Sequence, residues 1–445
     1  MQSEKNLFSF ILDLYSIICD KSISEISVIN NIWDFSEYTK ENKFHTFESF
    51  AEFLDEKQYW KLLSPNVNFR FATAVLQYLD SEIYAFKEYD DLFLYDNKQI
   101  KLENVSHYLI VLPENYPAKQ INKIFNQKNK KGLRKIRQYN PIKICNILGL
   151  RNLNFVEKKE KVIIEQFFCK LPNLAADLTK DYIDLGFYPF IKIQNDAEPL
   201  LKISYSTDSF TITVDHKKYC EQYIDYLLDA LKSKSSIIIL PENSIAITDY
   251  SSISRHLNSL NLDSDKLVVA GTLWNDYKNT QYVFNDDGDL LIAQEKFTPF
   301  VYCENGNKYY EDLKKTITPH YIKLLHIKSF GLFGFPICSD LTNEMYIESI
   351  YCDCKVTNLI VPCMSKSNDI FSSFEFLSSH YHIAVFACNS NIGKNNLVGF
   401  CSLPCTKNIS KRSCKTVRVF SKHSKPGKCI KGIYKRIKLK ICTKP

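Results

Sequence analysis

Gly334-Phe335-Pro336-Ile337-Cys338-Ser339-Asp340 ends an apolar run on a thiol, with an acid two residues further on. Two other stretches have the same build. Ile237-Ile238-Ile239-Leu240-Pro241-Glu242-Asn243 sets a carboxylate at the mouth of an apolar run, and Glu295-Lys296-Phe297-Thr298-Pro299 follows the strand-like Leu290–Ala293. Short runs without a polar member, such as Ile237–Leu240, Leu267–Ala270, Leu359–Val361 and Ile383–Ala387, read as strands buried on both faces. Between them lie segments of helical spacing, notably Tyr219–Lys232 with Tyr223, Tyr226, Leu227, Ala230 and Leu231 on one face. The alternation predicts an α/β fold with helices covering its sheets. Such folds place reactive side chains at strand ends.

Working outward, the alternating pattern starts past Gln194–Pro199, where Leu200–Tyr205 and Phe210–Val214 read as strands. A chain of 445 residues exceeds one ordinary core. The expected division is an N-terminal domain over 1–195 and a second over 198–445. Residues 1–90 read as helices, among them Leu7–Cys19 and Phe71–Tyr89, the latter with Ala74, Val75, Tyr78, Leu79, Ile83 and Phe86 at helical spacing. Strand-like runs follow at Leu92–Tyr95 and Tyr108–Leu112. The first domain is therefore expected to be mostly helical α+β.

A composition of 45% apolar and 24% charged residues is that of a globular chain and excludes a disordered one. No apolar run has membrane-spanning length, so no membrane partner is expected. Leu7–Cys19 is interrupted by Asp13 and lacks a small-residue cleavage site, which favours a core helix over a signal peptide. Fifteen cysteines without an export signal predict reduced thiols and a cytoplasmic location. Cys352 with Cys354, and Cys401 with Cys405, lack a second pair at zinc spacing and read as small apolar residues.

The net charge of +7 is uneven: residues 401–445 carry 11 Lys, 3 Arg and no acid. A second acid-free stretch, 115–156, includes Lys128, Lys130, Lys131, Arg134, Lys135 and Arg137. Such clusters neutralise phosphates in nucleic-acid or other anionic partners, or form a solvated face; the sequence leaves both open.

Taken together, the three strand-end motifs resemble the Glu–Lys–Cys set of the nitrilase superfamily of carbon–nitrogen hydrolases. The order is Glu242, Lys296, Cys338, at intervals of 54 and 42 residues. Val269-Ala270-Gly271-Thr272, Leu359-Ile360-Val361-Pro362 and Ala387-Cys388-Asn389 resemble the family's flanking strands. The resemblance covers roughly 198–445 and implies an α-β-β-α sandwich. It also implies a homodimer paired through this domain and a small amide or nitrile as substrate. Glu304, eight residues after Lys296, matches a helper glutamate of the apolipoprotein N-acyltransferases in this superfamily, with Glu311 as the other candidate. Two departures stand out. Ser339 replaces the usual aromatic after the nucleophile, and Leu377-Ser378-Ser379-His380 replaces an Arg-Ala-x-Glu signature.

The implied chemistry is coherent. A thiol is mostly protonated at neutral pH, so Glu242 would act as general base on Cys338. Lys296 and the backbone N–H of Ser339 would hold the charge that develops on the substrate, an effect of about 3–4 kcal/mol per donor. A thioester acyl-enzyme would follow, with no metal or organic cofactor required. Two other readings are carried forward: a nitrilase-fold binding or signalling module, and a soluble N-acyltransferase.

In the N-terminal half, Ser64-Pro65, Tyr78-Leu79-Asp80 and Tyr89-Asp90-Asp91-Leu92-Phe93-Leu94 faintly resemble the end of a reverse-transcriptase palm. In that family a hairpin presents two aspartates to Mg²⁺. Nitrilase-like domains accompany reverse transcriptases in bacterial antiphage defence, which is the setting implied for the binding-module reading. A helical accessory domain with an acidic turn is the plainer expectation.

Overall fold

The computed structural model describes residues 6–19, 44–56, 69–93, 102–104, 106–113, 150–171, 174, 182–189, 201–214, 216–247, 250–260, 265–304, 306–313, 319–328, 330–343, 347–365, 369–390, 397–404, 414–420 and 433–438. The chain forms two compact units, Met1–Lys159 and Glu160–Pro445. The second unit thus begins well upstream of residue 198. Two strands that precede Gln194 belong to its sheets, as their pairing below makes plain.

In the first unit, α1 (Leu7–Cys19) buries Leu7, Phe8, Phe10, Ile11, Leu14, Tyr15 and Ile18. Helix α2 (Phe47–Glu56) buries Phe47, Phe50, Phe53 and Leu54, the spacing of one helical face. Helix α3 (Phe69–Glu82) ends in a 3₁₀ turn at Ile83–Ala85, and α4 spans Lys87–Asp91. Strands β1 (His107–Val111) and β2 (Leu153–Glu157) pair antiparallel. The expected helix over Phe71–Tyr89 is therefore broken into two, and Leu92 and Phe93 lie in a turn rather than a strand. The hairpin implied by the palm resemblance is not seen at the aspartate pair, and Ser64, Pro65 and Leu94 lie outside the described residues. Tyr89, Asp90 and Asp91 sit in a helical turn, not at the tip of a hairpin. The carboxylate of Asp80 accepts the backbone N–H groups of Arg151, Asn152 and Leu153 at 2.7–2.9 Å, which fixes the start of β2. Lys128, Lys130, Lys131, Arg134, Lys135 and Arg137 lie outside the described residues.

The second unit runs β3 (Val162–Cys169), β4 (Tyr182–Phe187), β5 (Leu201–Tyr205), β6 (Ser209–Val214), α5 (His216–Leu231), β7 (Ile237–Ile239), α6 (Tyr250–Asn258), β8 (Leu267–Asn275), β9 (Lys278–Asn285) and β10 (Leu290–Glu295). It continues through β11 (Val301–Glu304), β12 (Asn307–Glu311), β13 (His320–Ile327), β14 (Gly331–Gly334), β15 (Asn358–Cys363), α7 (Asp369–His380), β16 (Ala384–Asn389), β17 (Leu397–Pro404), β18 (Cys414–Phe420) and β19 (Ile433–Lys438). One sheet has the order β10-β9-β8-β7-β4-β19, and a second β18-β17-β16-β15-β14-β13-β3. Strands β5, β6, β11 and β12 form a smaller third sheet, so the strands expected at 200–214 stand apart from the two large ones.

Strand periodicity explains the layering. Ile237 and Ile239 of β7, with Leu267 and Val269 of β8, pack against Phe333, Ile360, Phe386 and Val398 of the other sheet. Ile238, Val268 and Ala270 point the other way, onto Tyr223, Leu227 and Leu231 of α5 and Ile253 and Leu257 of α6. On the far side of the second sheet, Phe371 of α7 stacks on Phe400 of β17 with ring centroids 5.0 Å apart. The order of layers is helix, sheet, sheet, helix. Both faces of each sheet are covered, which is why the strands read as continuous apolar runs. Among the described residues, no helix is long and apolar enough to cross a membrane.

Candidate functional site

Glu242 leaves the end of β7 in a turn that its neighbours hold tightly. The N–H of Leu240 donates to the carbonyl of Val269, and that of Asn243 to Oγ1 of Thr272 at 2.8 Å. Ser244 donates through Oγ to the carbonyl of Pro241, also at 2.8 Å. Gly271 makes this possible. Its φ of +92° suits a residue without a Cβ, and a Cβ there would stand 2.7 Å from the carbonyl oxygen of Pro241. The pairing of β8 with β9 shifts register between Val269 and Thr272, around this glycine.

Lys296 follows β10 directly, and its N–H donates to the carbonyl of Asn279 on β9 at 2.8 Å. Its ammonium lies 2.6 Å from Oε1 of Glu242 and 2.7 Å from Oε2 of Glu311, and all three side chains are at most 3% exposed. Asn279 completes the cluster by donating through Nδ2 to Oε1 of Glu242 at 3.0 Å and to Oε1 of Glu311 at 3.5 Å. The N–H of Phe300 donates to Oε2 of Glu311 at 2.9 Å.

Cys338 opens a short 3₁₀ turn, Cys338–Thr342, and has a φ of +41°. It is 5% exposed. Asp340, two residues on, fastens this turn to the lysine loop. Its Oδ1 accepts the N–H groups of Phe297 at 3.2 Å and Thr298 at 2.8 Å, and its Oδ2 that of Ile337 at 2.9 Å. Ser339 adds a bond from Oγ to the carbonyl of Thr298 at 2.7 Å. In place of the aromatic expected at 339, a hydroxyl thus ties the two loops together.

The electrostatics follow from burial. Burial works against a charged Lys296, but Glu242, Glu311 and Cys338 outweigh it and hold the ammonium well above the ordinary lysine range. Burial first, and then the charge of Glu242, push the Glu311 carboxyl up against the pull of Lys296. Two carboxylates share one ammonium in a dry site, which is the physical cause of the upward shift at Glu311. Burial likewise raises Asp340, to about 7, despite the bonds from Ile337, Thr298 and Phe297 and the charge of Lys296.

The sequence-predicted residues fare differently. Glu242 and Lys296 are in direct contact, and Cys338 is near enough to act on the charge of Lys296. Glu304 ends β11 opposite Asn307, at the turn of the β11–β12 hairpin. Glu311 ends β12 at the other extremity, next to Phe300. The carboxylate on the lysine is therefore Glu311, and Glu304 lies four residues of strand away, roughly 13 Å. Asn279 was missed: a polar residue in a two-sided buried strand was the available signal. A cavity of about 480 Å³ is lined by Lys278, Glu295, Lys296, Phe297, His320 and Tyr321, but by neither Glu242 nor Cys338.

No family model and no curated protein matches the sequence. Among solved structures, Saccharomyces cerevisiae Nit3, a member of branch 10 of the nitrilase superfamily, overlaps 58% of this chain over 90% of its own, with 15% identity and a TM-score of 0.35. A cysteine-to-alanine variant of the nitrilase-superfamily amidase from Nesterenkonia sp. AN1 overlaps 58% of this chain over 91% of its own, with 10% identity and a TM-score of 0.32. A glutamine-dependent NAD(+) synthetase from Cytophaga hutchinsonii overlaps 57% of this chain over 43% of its own, with 14% identity and a TM-score of 0.33. The chain thus spans less than half of that synthetase. These overlaps are partial and say nothing of activity.

Proposed function

We propose that this protein is a cysteine-dependent hydrolase of a non-peptide carbon–nitrogen bond, in a small amide or nitrile, working through a thioester acyl-enzyme. The observation that carries the reading is the buried cluster of Lys296 between Glu242 and Glu311, tied by Asp340 to the turn that begins at Cys338.

Glu242 takes the proton of Cys338, and the sulfur attacks the amide carbon. An ammonium carries three donors. Glu242 and Glu311 engage two of those of Lys296, leaving the third for the oxyanion, together with the N–H of Ser339 at the start of the 3₁₀ turn. Collapse of the tetrahedral adduct expels the amine, which takes its proton from Glu242. Water then attacks the thioester with Glu242 again as base, returning the thiol and releasing the acid. A nitrile follows the same course after hydration of the thioimidate and loss of ammonia. Glu311 keeps Lys296 protonated throughout. Lys296 must stay charged for the oxyanion, and two carboxylates hold it so more firmly than one.

The test pairs a thiol-directed electrophile with a panel of short amides and nitriles. Stoichiometric labelling at Cys338, and loss of turnover in Cys338→Ala, are expected. Turnover that survives Cys338→Ala would sink the proposal.

A further inference from the structure

Cys363 is a second thiol at the site that the hydrolytic reading does not use. It ends β15, which runs parallel to β14 in the register Phe333 with Asn358 and Gly334 with Leu359. Cys338 comes four residues after Gly334, and Cys363 four after Leu359. The two thiols therefore stand at the same count along adjacent chains, Cys363 as the last residue of β15 and Cys338 four residues beyond the end of β14. Neighbouring strands are about 4.8 Å apart, within the roughly 4.4–6.8 Å that a disulfide spans between Cα atoms. Cys338 and Glu242 are both close enough to act on the Cys363 thiol, whose own hydrogen bond goes to the carbonyl of Val361 at 3.6 Å. Cys363 is fully buried, so its reachable partners are few. Cys388 is the other sulfur nearby, but it packs in the core between the sheets, beside Phe386 and Val398. Its register partner on β15 is Pro362 rather than Cys363.

We propose that Cys338 and Cys363 form a reversible disulfide under peroxide, making Cys363 a resolving thiol that both silences and protects the nucleophile. The inference rests on Cys338 being the reactive thiol of the hydrolase reading. Hydrogen peroxide is the oxidant. The sulfur of Cys338 attacks one peroxide oxygen, the O–O bond breaks, and a sulfenic acid and water result. The sulfur of Cys363 then attacks that of Cys338, the S–O bond breaks, and hydroxide leaves as water with the Cys363 proton. Two thiols and one peroxide give one disulfide and two waters, so each sulfur loses one electron and the peroxide gains two. Glu242, the base for the first thiol, is placed to carry the second proton. Burial and then the contact with Cys338 hold the Cys363 thiol well above the ordinary range, so at rest it is a protonated bystander. A dithiol reductant reverses the bond by exchange.

The experiment exposes the full chain to hydrogen peroxide, blocks the remaining thiols with a maleimide, and maps disulfide-linked peptides by mass spectrometry. A linkage of Cys338 to Cys363 is expected, with loss of electrophile labelling at Cys338 that a dithiol restores. In Cys363→Ser and Cys363→Ala, peroxide should instead drive Cys338 to the sulfinic acid, and the dithiol should restore nothing. The two variants guard against a folding defect in either one, and the wild-type peptide map needs neither. A wild-type map without the linkage, or with Cys363 joined to Cys388, overturns the proposal. So does full dithiol recovery in both variants. Linkage in a chain that turns over no amide or nitrile leaves this inference standing and counts against the hydrolase alone. Turnover without linkage does the reverse.

Discussion

Oε2 of Glu311 lies 2.7 Å from the ammonium of Lys296, which makes Glu311, not Glu304, the second carboxylate on the lysine. Glu311→Gln should lower turnover on the order of 10²-fold, the scale of a lost acid–base partner. Glu304→Gln should change it by less than about threefold, as a substitution away from the cluster does. Steady-state rates on the best substrate found, with thermal melts to confirm folding, decide the point. Equal losses in the two variants would remove Glu311 from its assigned place.

Asp340 links stability to pH. Its carboxyl is raised to about 7 in the folded chain, above the ordinary aspartate value. The folded state therefore binds the proton more tightly than the unfolded one. That stabilisation is complete below roughly pH 4 and is lost as pH rises to about 7, up to about 4 kcal/mol. Asp340→Asn should flatten this part of the pH profile in urea unfolding. It should also lower stability by about 1–3 kcal/mol, because an amide N–H₂ would then face the N–H of Ile337. A variant with the wild-type slope between pH 4 and 7 would refute the assignment.

Ser378 lies in α7, and its Oγ reaches the carbonyls of Ile383 at 2.7 Å and Ser402 at 3.0 Å. It thereby ties α7 to the strands beneath it. Ser378→Ala should cost about 1–3 kcal/mol in urea unfolding, since buried carbonyls lose their donor, while Cys338 labels at the wild-type rate. Unchanged stability would show that the helix is held by packing alone.

Gly399 of β17 lies under the ring of Phe187 of β4, so a Cβ at 399 would stand 2.6 Å from Cγ of that ring. Gly399→Ala should destabilise by about 1–3 kcal/mol through overpacking between the sheets. Phe187→Leu in the same chain should recover part of the loss. A double-mutant cycle reads the coupling, and strict additivity would mean that the two residues do not meet.

The strand ends that carry Glu242, Lys296 and Cys338 were legible because strands buried on both faces leave unbroken apolar runs, and the polar residue that ends each run marks the sheet's edge. Tyr219–Lys232 was legible for a similar reason, since α5 buries one stripe only. Glu311 was not, because residue spacing does not reveal where a hairpin turns. The pairing of Glu304 with Asn307 puts Glu304 at the tip of the hairpin and returns Glu311 to the lysine. Asn279 hid in an exposed-looking Lys-Asn-Thr-Gln stretch, of which Asn279 and Gln281 are fully buried. The unit boundary was misplaced because β3 and β4 pair with β13 and with β7 and β19, partners far along the chain. Pairing over such distances leaves no local mark. Asp90 and Asp91 misled in the opposite way, as a short motif without the strands that would give it meaning.

Cys338 holds a φ of +41°, a backbone region that glycine enters readily and other residues enter at about 1–2 kcal/mol. Folding and reactivity therefore pull against each other at one torsion. Cys338→Gly should melt above Cys338→Ala, by the equivalent of about 1 kcal/mol, while neither variant can form a thioester. At this position the chain is most stable when it is inert, so the thiol is held in place against the grain of the fold.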